Sequence, residues 1–160
     1  MRQVVILAGG FGTRLRSVVS DVPKPMAPVN GKPFLAHQMQ YWKNQGAKTF
    51  ILSVGYLSGL IIDFFKDSYL GVEVKYAIEQ KPLGTGGGLL LAMEKINSDE
   101  PFFLVNGDTY LEVGAEKILQ FHSSRKSEVT FSLFRAQERD RFGSVKVTKD
   151  NRIAEFGPNK

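Results

Sequence analysis

Lys24 stands between two prolines, in Val22-Pro23-Lys24-Pro25-Met26-Ala27-Pro28. Each proline fixes its own φ, and Pro25 and Pro28 push the residues before them toward extended backbone. A lysine held this stiffly loses less ordering entropy on meeting a phosphate than one on a mobile loop. Upstream, Leu7-Ala8-Gly9-Gly10-Phe11-Gly12-Thr13-Arg14-Leu15 places three glycines after an apolar run. Glycines there let backbone N–H groups approach and face an anion. Arg14 adds a guanidinium suited to bidentate phosphate recognition. Neither named phosphate loop fits: G-x-G-x-x-G counted from Gly10 fails at Leu15, and no Gly-Lys-Ser/Thr follows for a P-loop.

Glu79-Gln80-Lys81-Pro82-Leu83-Gly84-Thr85-Gly86-Gly87-Gly88 is a second glycine-rich segment. As a dinucleotide fingerprint it fails twice, at Leu89 and at Leu91, and it suits close approach to a flat ligand instead. In Val105-Asn106-Gly107-Asp108 a carboxylate follows an apolar run. That is a good place for a Mg²⁺ ligand, because Mg²⁺ takes one or two carboxylates together with phosphate oxygens and water. Two glycine-rich loops, the basic pair Arg14 and Lys24, and Asp108 together match a site for a Mg²⁺-nucleoside triphosphate.

These residues need a scaffold that gathers them. Strand-like runs at Gln3–Leu7, Thr49–Val54, Val72–Ile78 and Phe102–Val105 alternate with helix-like runs at Pro33–Gln45, Gly86–Ile96 and Gly114–Ser123. Ser58 is placed to cap a further helix carrying Ile61, Phe64 and Phe65, and Val129–Leu133 and Ser144–Val147 suit two more strands. In the first of these helices Leu35, Gln38 or Met39, and Trp42 fall at i, i+3/4, i+7. Strands alternating with helices imply βαβ units, and near-continuous apolar strands imply a sheet covered on both faces. The expected fold is α/β: doubly wound, a mainly parallel sheet with helices on both faces, in one domain over 1–160. Ligands bind such sheets beyond the carboxyl ends of the strands, where the glycine loop, Glu79 and Asp108 all fall.

The 160 residues carry 21 Lys and Arg against 16 Asp and Glu, a formal charge of +5. A polyanionic partner is therefore in question, but the basic residues are scattered, and Ser124-Arg125-Lys126 is too short to form a nucleic-acid stripe. The absence of cysteine removes thiolate catalysis and cysteine zinc sites, and two histidines cannot make a three-histidine metal site. His37 and His122 are read as structural or surface residues. With no apolar run near 20 residues and no secretory signal, a soluble, cytoplasmic protein with no membrane partner is expected.

At these residues the sequence resembles the sugar-1-phosphate nucleotidylyltransferase family, whose fold is Rossmann-like. Four matching pieces occur in order: Leu7 to Leu15, Pro23-Lys24-Pro25, Pro82-Leu83-Gly84-Thr85-Gly86-Gly87 and Asn106-Gly107-Asp108. Pro23 to Pro28 and Phe50-Ile51-Leu52-Ser53-Val54-Gly55-Tyr56 most resemble the D-glycero-α-D-manno-heptose 1-phosphate guanylyltransferase branch. The resemblance implies a nucleotide site that includes Leu7, Ala8, Gly9, Thr85 and Gly107. It implies that Gly10, Gly12, Thr13 and Arg14 cradle a triphosphate, that Lys24 steadies the phosphates in the transition state, and that Asp108 holds Mg²⁺. Glu79 and the Gly84 backbone would face the base, and Phe142-Gly143 would line the sugar pocket. The implied catalytic set is Arg14, Lys24 and Asp108.

The implied reaction moves a nucleotidyl group from GTP to a sugar 1-phosphate, giving an NDP-sugar for cell-surface polysaccharide and pyrophosphate. Guanine is favoured because it offers two adjacent donors to an acceptor-only carboxylate such as Glu79, whereas uracil and thymine face it with carbonyls. UTP or dTTP with another sugar 1-phosphate stays open, as do a non-catalytic nucleotide-binding homologue and a homo-oligomer. Family members continue past this length, one normally with a second Mg²⁺-binding aspartate, and carry a Glu-Lys-Pro sugar-phosphate motif. Here Phe156 is followed by Gly157-Pro158-Asn159-Lys160. The expectation is a truncated chain that holds the nucleotide-binding half and part of the sugar-phosphate half, and that binds Mg²⁺-GTP better than it turns it over.

Overall fold

The computed structural model describes residues 2–10, 21–135 and 143–157. Gly12, Thr13, Arg14 and Phe142 lie outside these. The chain divides into two compact units, 1–121 and 122–160. In order, the first half runs through β1 (Arg2–Ala8), a 3-10 turn at Lys24–Met26, the hairpin β2 (Pro28–Val29) and β3 (Lys32–Pro33), α1 (Phe34–Asn44), β4 (Ala47–Val54) and α2 (Ser58–Phe65). There follow β5 (Ser68–Tyr69), β6 (Val72–Ile78), α3 (Gly84–Met93), β7 (Phe103–Asn106), α4 (Ala115–Arg125), β8 (Val145–Val147) and β9 (Ile153–Phe156).

The first unit is built on a five-stranded sheet in the order β5-β6-β4-β1-β7. Its four long strands are parallel, and only the short β5 runs antiparallel, on β6. β1 is apolar on both faces, and both are covered. Val4, Ile6 and Ala8 join Leu35, Met39 and Trp42 of α1, Ile61 and Phe65 of α2, and Ala115 of α4 in one core. Val5 and Leu7 meet Ala92, Leu89 and Leu91 of α3 in the other. Phe50 and Phe65 are fully buried, and truncating either to alanine should cost about 3–5 kcal/mol.

The chain steps outward from β1 to β4 to β6 with α1 and α2 on one face, then returns past them to β7 through α3 on the other. Reversing the direction of travel while keeping right-handed crossovers requires that change of face. β1 is thus the strand at which the order reverses, and the crevice between the carboxyl ends of β1 and β7 is where such a sheet takes ligands.

Element boundaries differ from expectation where side chains intervene. Ser58 is not a cap but the first residue of α2; Leu57 precedes it at φ 52, with no side-chain cap. The Ser58 N–H already donates to the Gly55 carbonyl at 3.1 Å, turning the chain before the helix begins. α3 begins at Gly84 rather than Gly86, because the Leu83 N–H is held by the Glu79 carboxylate at 3.0 Å. In the second unit Val129–Leu133 is not a strand. A strand needs a ladder for its backbone groups, and the described residues offer it none; Val129, Phe131 and Leu133 stay exposed. Phe131 instead meets the Phe156 ring edge-on at 5.6 Å, beside the β8–β9 hairpin. No helix among the described residues is long and apolar enough to cross a membrane.

Candidate active site

Lys24 is set by its own turn. Pro23 has ψ 149, Pro25 is buried, and Met26 N–H donates to the Pro23 carbonyl at 2.7 Å. The ammonium that emerges lies 2.6 Å from Oδ2 of Asp108. Asp108 follows β7, where Leu7 of β1 pairs with Asn106 and the Gly107 N–H extends the ladder to the Leu7 carbonyl at 2.8 Å. Its other oxygen, Oδ1, accepts from Thr109 Oγ1 at 3.2 Å.

The Lys24 and Asp108 side chains are 37% and 41% exposed. An ion pair so wet contributes under about 1 kcal/mol to stability. Among the described residues no group of three or more His, Cys, Asp or Glu could hold a metal ion. One half-exposed carboxylate does fit Mg²⁺ that arrives on a triphosphate, where phosphate oxygens and water complete the shell.

Glu79 is positioned by the end of β6, and its N–H donates to the Val54 carbonyl at 2.7 Å. Oε1 accepts from Ser53 Oγ at 2.9 Å and Oε2 from the Leu83 N–H at 3.0 Å. The carboxylate lies so close to Gly9 and Gly88 that a Cβ would stand 2.3 Å and 2.9 Å from Oε1. Glycine at both positions is therefore a matter of space. The anion also sits at the N-terminus of α3, where its charge is favoured by the helix dipole.

Of the expected site residues, Leu7 and Ala8 end β1, Gly9 and Gly10 follow it, and Gly84 and Thr85 open α3, Gly84 at φ +69. Gly9 and Glu79 are in contact, as are Lys24 and Asp108, and Gly107 is bonded to β1. Gly143 belongs to the second unit, just before β8.

Two residues escaped the sequence reading. Ser53 is completely buried at the end of β4 and grips Glu79; within an apolar strand its hydroxyl was the available signal. Gln38, 2% exposed, donates through Nε2 to the Asn106 and Thr109 carbonyls, each at 2.8 Å. It sits at a core position of α1, where a glutamine is out of place.

Comparison with known proteins fits this geometry. The nucleotidyl transferase family model matches residues 3–157. D-glycero-α-D-manno-heptose 1-phosphate guanylyltransferase of Campylobacter jejuni is 39% identical over 154 residues, which are 96% of this chain and 67% of that protein. Its namesake in Aneurinibacillus thermoaerophilus is 43% identical over 96% of this chain and 66% of that protein. The chain thus spans about two thirds of the length of these relatives. The crystal structure of HddC from Yersinia pseudotuberculosis complexed with GMP-PN superposes with a TM-score of 0.84 and 40% identity, covering 99% of this chain and 69% of that one. The doubly wound sheet, the family model over residues 3–157 and these relatives agree, and the chain belongs to the nucleotidyl transferase family.

Proposed function

We propose that this chain carries the nucleotide-binding machinery of a guanylyltransferase, which moves GMP from GTP to a sugar 1-phosphate, a heptose 1-phosphate in particular. The Lys24–Asp108 pair carries the proposal, since its two charges stand together past the carboxyl end of β7 and, exposed as they are, add little to stability. Relatives named as heptose 1-phosphate guanylyltransferases support the choice of substrates.

In the reaction a phosphate oxygen of the sugar 1-phosphate attacks the α-phosphorus of GTP. The bond from α-phosphorus to the bridging oxygen breaks, and pyrophosphate leaves. A phosphate monoester has its second pKa near about 6, so the nucleophile is already ionised at neutral pH and needs no general base. The protein's work is positioning and neutralising charge. Lys24 would meet the phosphates, with Gly9 and Gly10 offering backbone N–H groups and Arg14, from the same segment, a second cation. Asp108 would hold Mg²⁺, which supplies further charge neutralisation when bound.

Glu79 supports guanine. A carboxylate has about four lone-pair sites, and Ser53 and Leu83 occupy one on each oxygen. Among the described residues that leaves one on each, which the adjacent N1–H and N2–H donors of guanine would take. Gly143, with Phe142, would line the sugar side, and a cytoplasmic setting follows from the nucleotide substrate.

Calorimetric titration of the purified chain with GTP, UTP, dTTP, CTP and ATP, each with Mg²⁺, tests the site, and pyrophosphate release on adding a heptose 1-phosphate tests the transfer. GTP should bind in preference to the others. A chain that is folded by circular dichroism and binds no nucleotide overturns the proposal.

A further inference from the structure

We infer that Gln38 is a positioning residue for Asp108, acting through the backbone of the turn that carries it. The inference rests on the reading above, that Asp108 meets the metal of an incoming nucleotide. α1 and its C-cap residue face the segment between β7 and α4 with three polar side chains at i, i+3 and i+7. Gln38 Nε2 donates to the Asn106 and Thr109 carbonyls, each at 2.8 Å. The Tyr41 hydroxyl donates to the Val113 carbonyl and accepts from the Val113 N–H, both at 2.7 Å. Gln45, at the helix end, accepts from the Ala115 N–H at 3.1 Å. The helical repeat makes these three a single stripe, so one rigid helix holds the loop at its start, middle and end.

Gln38 differs from the other two in where it grips and in what it forgoes. Asn106 and Thr109 bracket Gly107-Asp108, so both N–H bonds of one amide close the turn around the carboxylate. The orientation of the amide is settled by its partners: both are carbonyls, so the nitrogen must face them. Its oxygen is then left buried without a hydrogen-bond partner among the described residues. An unpaired buried acceptor is destabilising, and an apolar side chain of similar size would avoid it. What the amide supplies in return is two fixed points on either side of Asp108. Residues that orient a metal ligand without touching the metal commonly change metal affinity by about 10–100-fold.

The test uses the full chain and separates metal from nucleotide. The dissociation constant of Mn²⁺-GTP is read from the Mn²⁺ EPR signal, that of metal-free GTP by calorimetry in EDTA, and Tm by circular dichroism. Gln38→Met keeps the volume and removes the donors. It should weaken Mn²⁺-GTP binding about tenfold and leave metal-free GTP within about twofold. Tyr41→Phe loses the outer anchor, so Tm should fall by about 4 °C while both dissociation constants stay near wild type. Should Gln38→Met fail to fold, Gln38→Asn, whose shorter arm cannot reach both carbonyls, carries the same expectation. Asp108→Asn distinguishes the two possible failures. If it weakens Mn²⁺-GTP binding and the Gln38 variants do not, or weaken both ligands equally, the positioning role is overturned and the role of Asp108 stands. If Asp108→Asn leaves Mn²⁺-GTP binding unchanged, the reading of Asp108 falls and the inference falls with it.

Discussion

The Lys24 ammonium and the Asp108 carboxylate lie 2.6 Å apart across 84 positions of sequence. One is held by a proline-bounded turn and the other by the end of β7, so two separate parts of the fold converge on a single contact. Because both side chains are more than a third exposed, Lys24→Met should change unfolding free energy by under about 1 kcal/mol. Guanylyl transfer should fall by about 10²–10³-fold, as when a transition-state donor is lost. Urea denaturation and initial rates measure the two effects on one preparation. A large stability loss with little change in rate would make the pair structural.

Glu79 holds its own loop as well as facing the proposed base site. Glu79→Gln retains the shape but turns one acceptor into a donor, against either Ser53 Oγ or the Leu83 N–H. GTP affinity should drop about tenfold, roughly 1.4 kcal/mol, and the preference for GTP over UTP should narrow. The same five-nucleotide calorimetry reads the outcome. A uniform loss for every nucleotide would leave Glu79 as a loop anchor alone.

The sheet and the glycine-rich segments around it were legible because they are local. β6 runs Val72–Ile78 as its apolar and β-branched residues imply, and the glycines after β1 and around α3 announce close approach. What could not be read was pairing at a distance. Nothing near Gln38 in the sequence points to Asn106 or Thr109, and the 3.6-residue spacing disguises it as a core position. Val129–Leu133 shows the converse: its alternation is that of a strand, but a strand also needs a neighbour, and local pattern cannot supply one. The start of α3 was misplaced for a related reason, since the bond from the Leu83 N–H to Glu79 sets it, not helix propensity.

Tyr76 gives the chain an alkaline signature. Burial, aided by the charge of Asp67, pushes its phenol from 10.0 up to about 12, and its hydroxyl donates to the Lys66 carbonyl at 2.6 Å. The folded state therefore keeps a proton that the unfolded state releases near pH 10. That contribution is fully present below pH 10 and is lost as pH rises through about 12. Absorbance at about 295 nm, where tyrosinate absorbs, should show a late-titrating fraction among the five tyrosines. In Tyr76→Phe that fraction should shrink to what Tyr110 contributes, whose phenol burial also pushes up, and stability should fall less steeply over this range.

Gly9 tests whether the site depends on Glu79 being where it is. A methyl group at position 9 would stand 2.3 Å from Oε1 and 2.9 Å from Cδ of Glu79, well inside contact distance, so one of them must move. β1 is fixed by parallel partners on both sides, and the carboxylate is the softer of the two. Gly9→Ala should therefore displace Glu79 from Ser53, with a stability loss of about 1–3 kcal/mol typical of overpacking and about tenfold weaker GTP binding, or roughly 1.4 kcal/mol. If the clash is the cause, removing the obstacle removes the effect. In a Glu79→Ala background the same Gly9→Ala change should be nearly silent, a coupling above about 1 kcal/mol in the double-mutant cycle. Additive losses would mean that alanine harms the backbone at Gly9 directly, and that the Gly9–Glu79 contact is incidental.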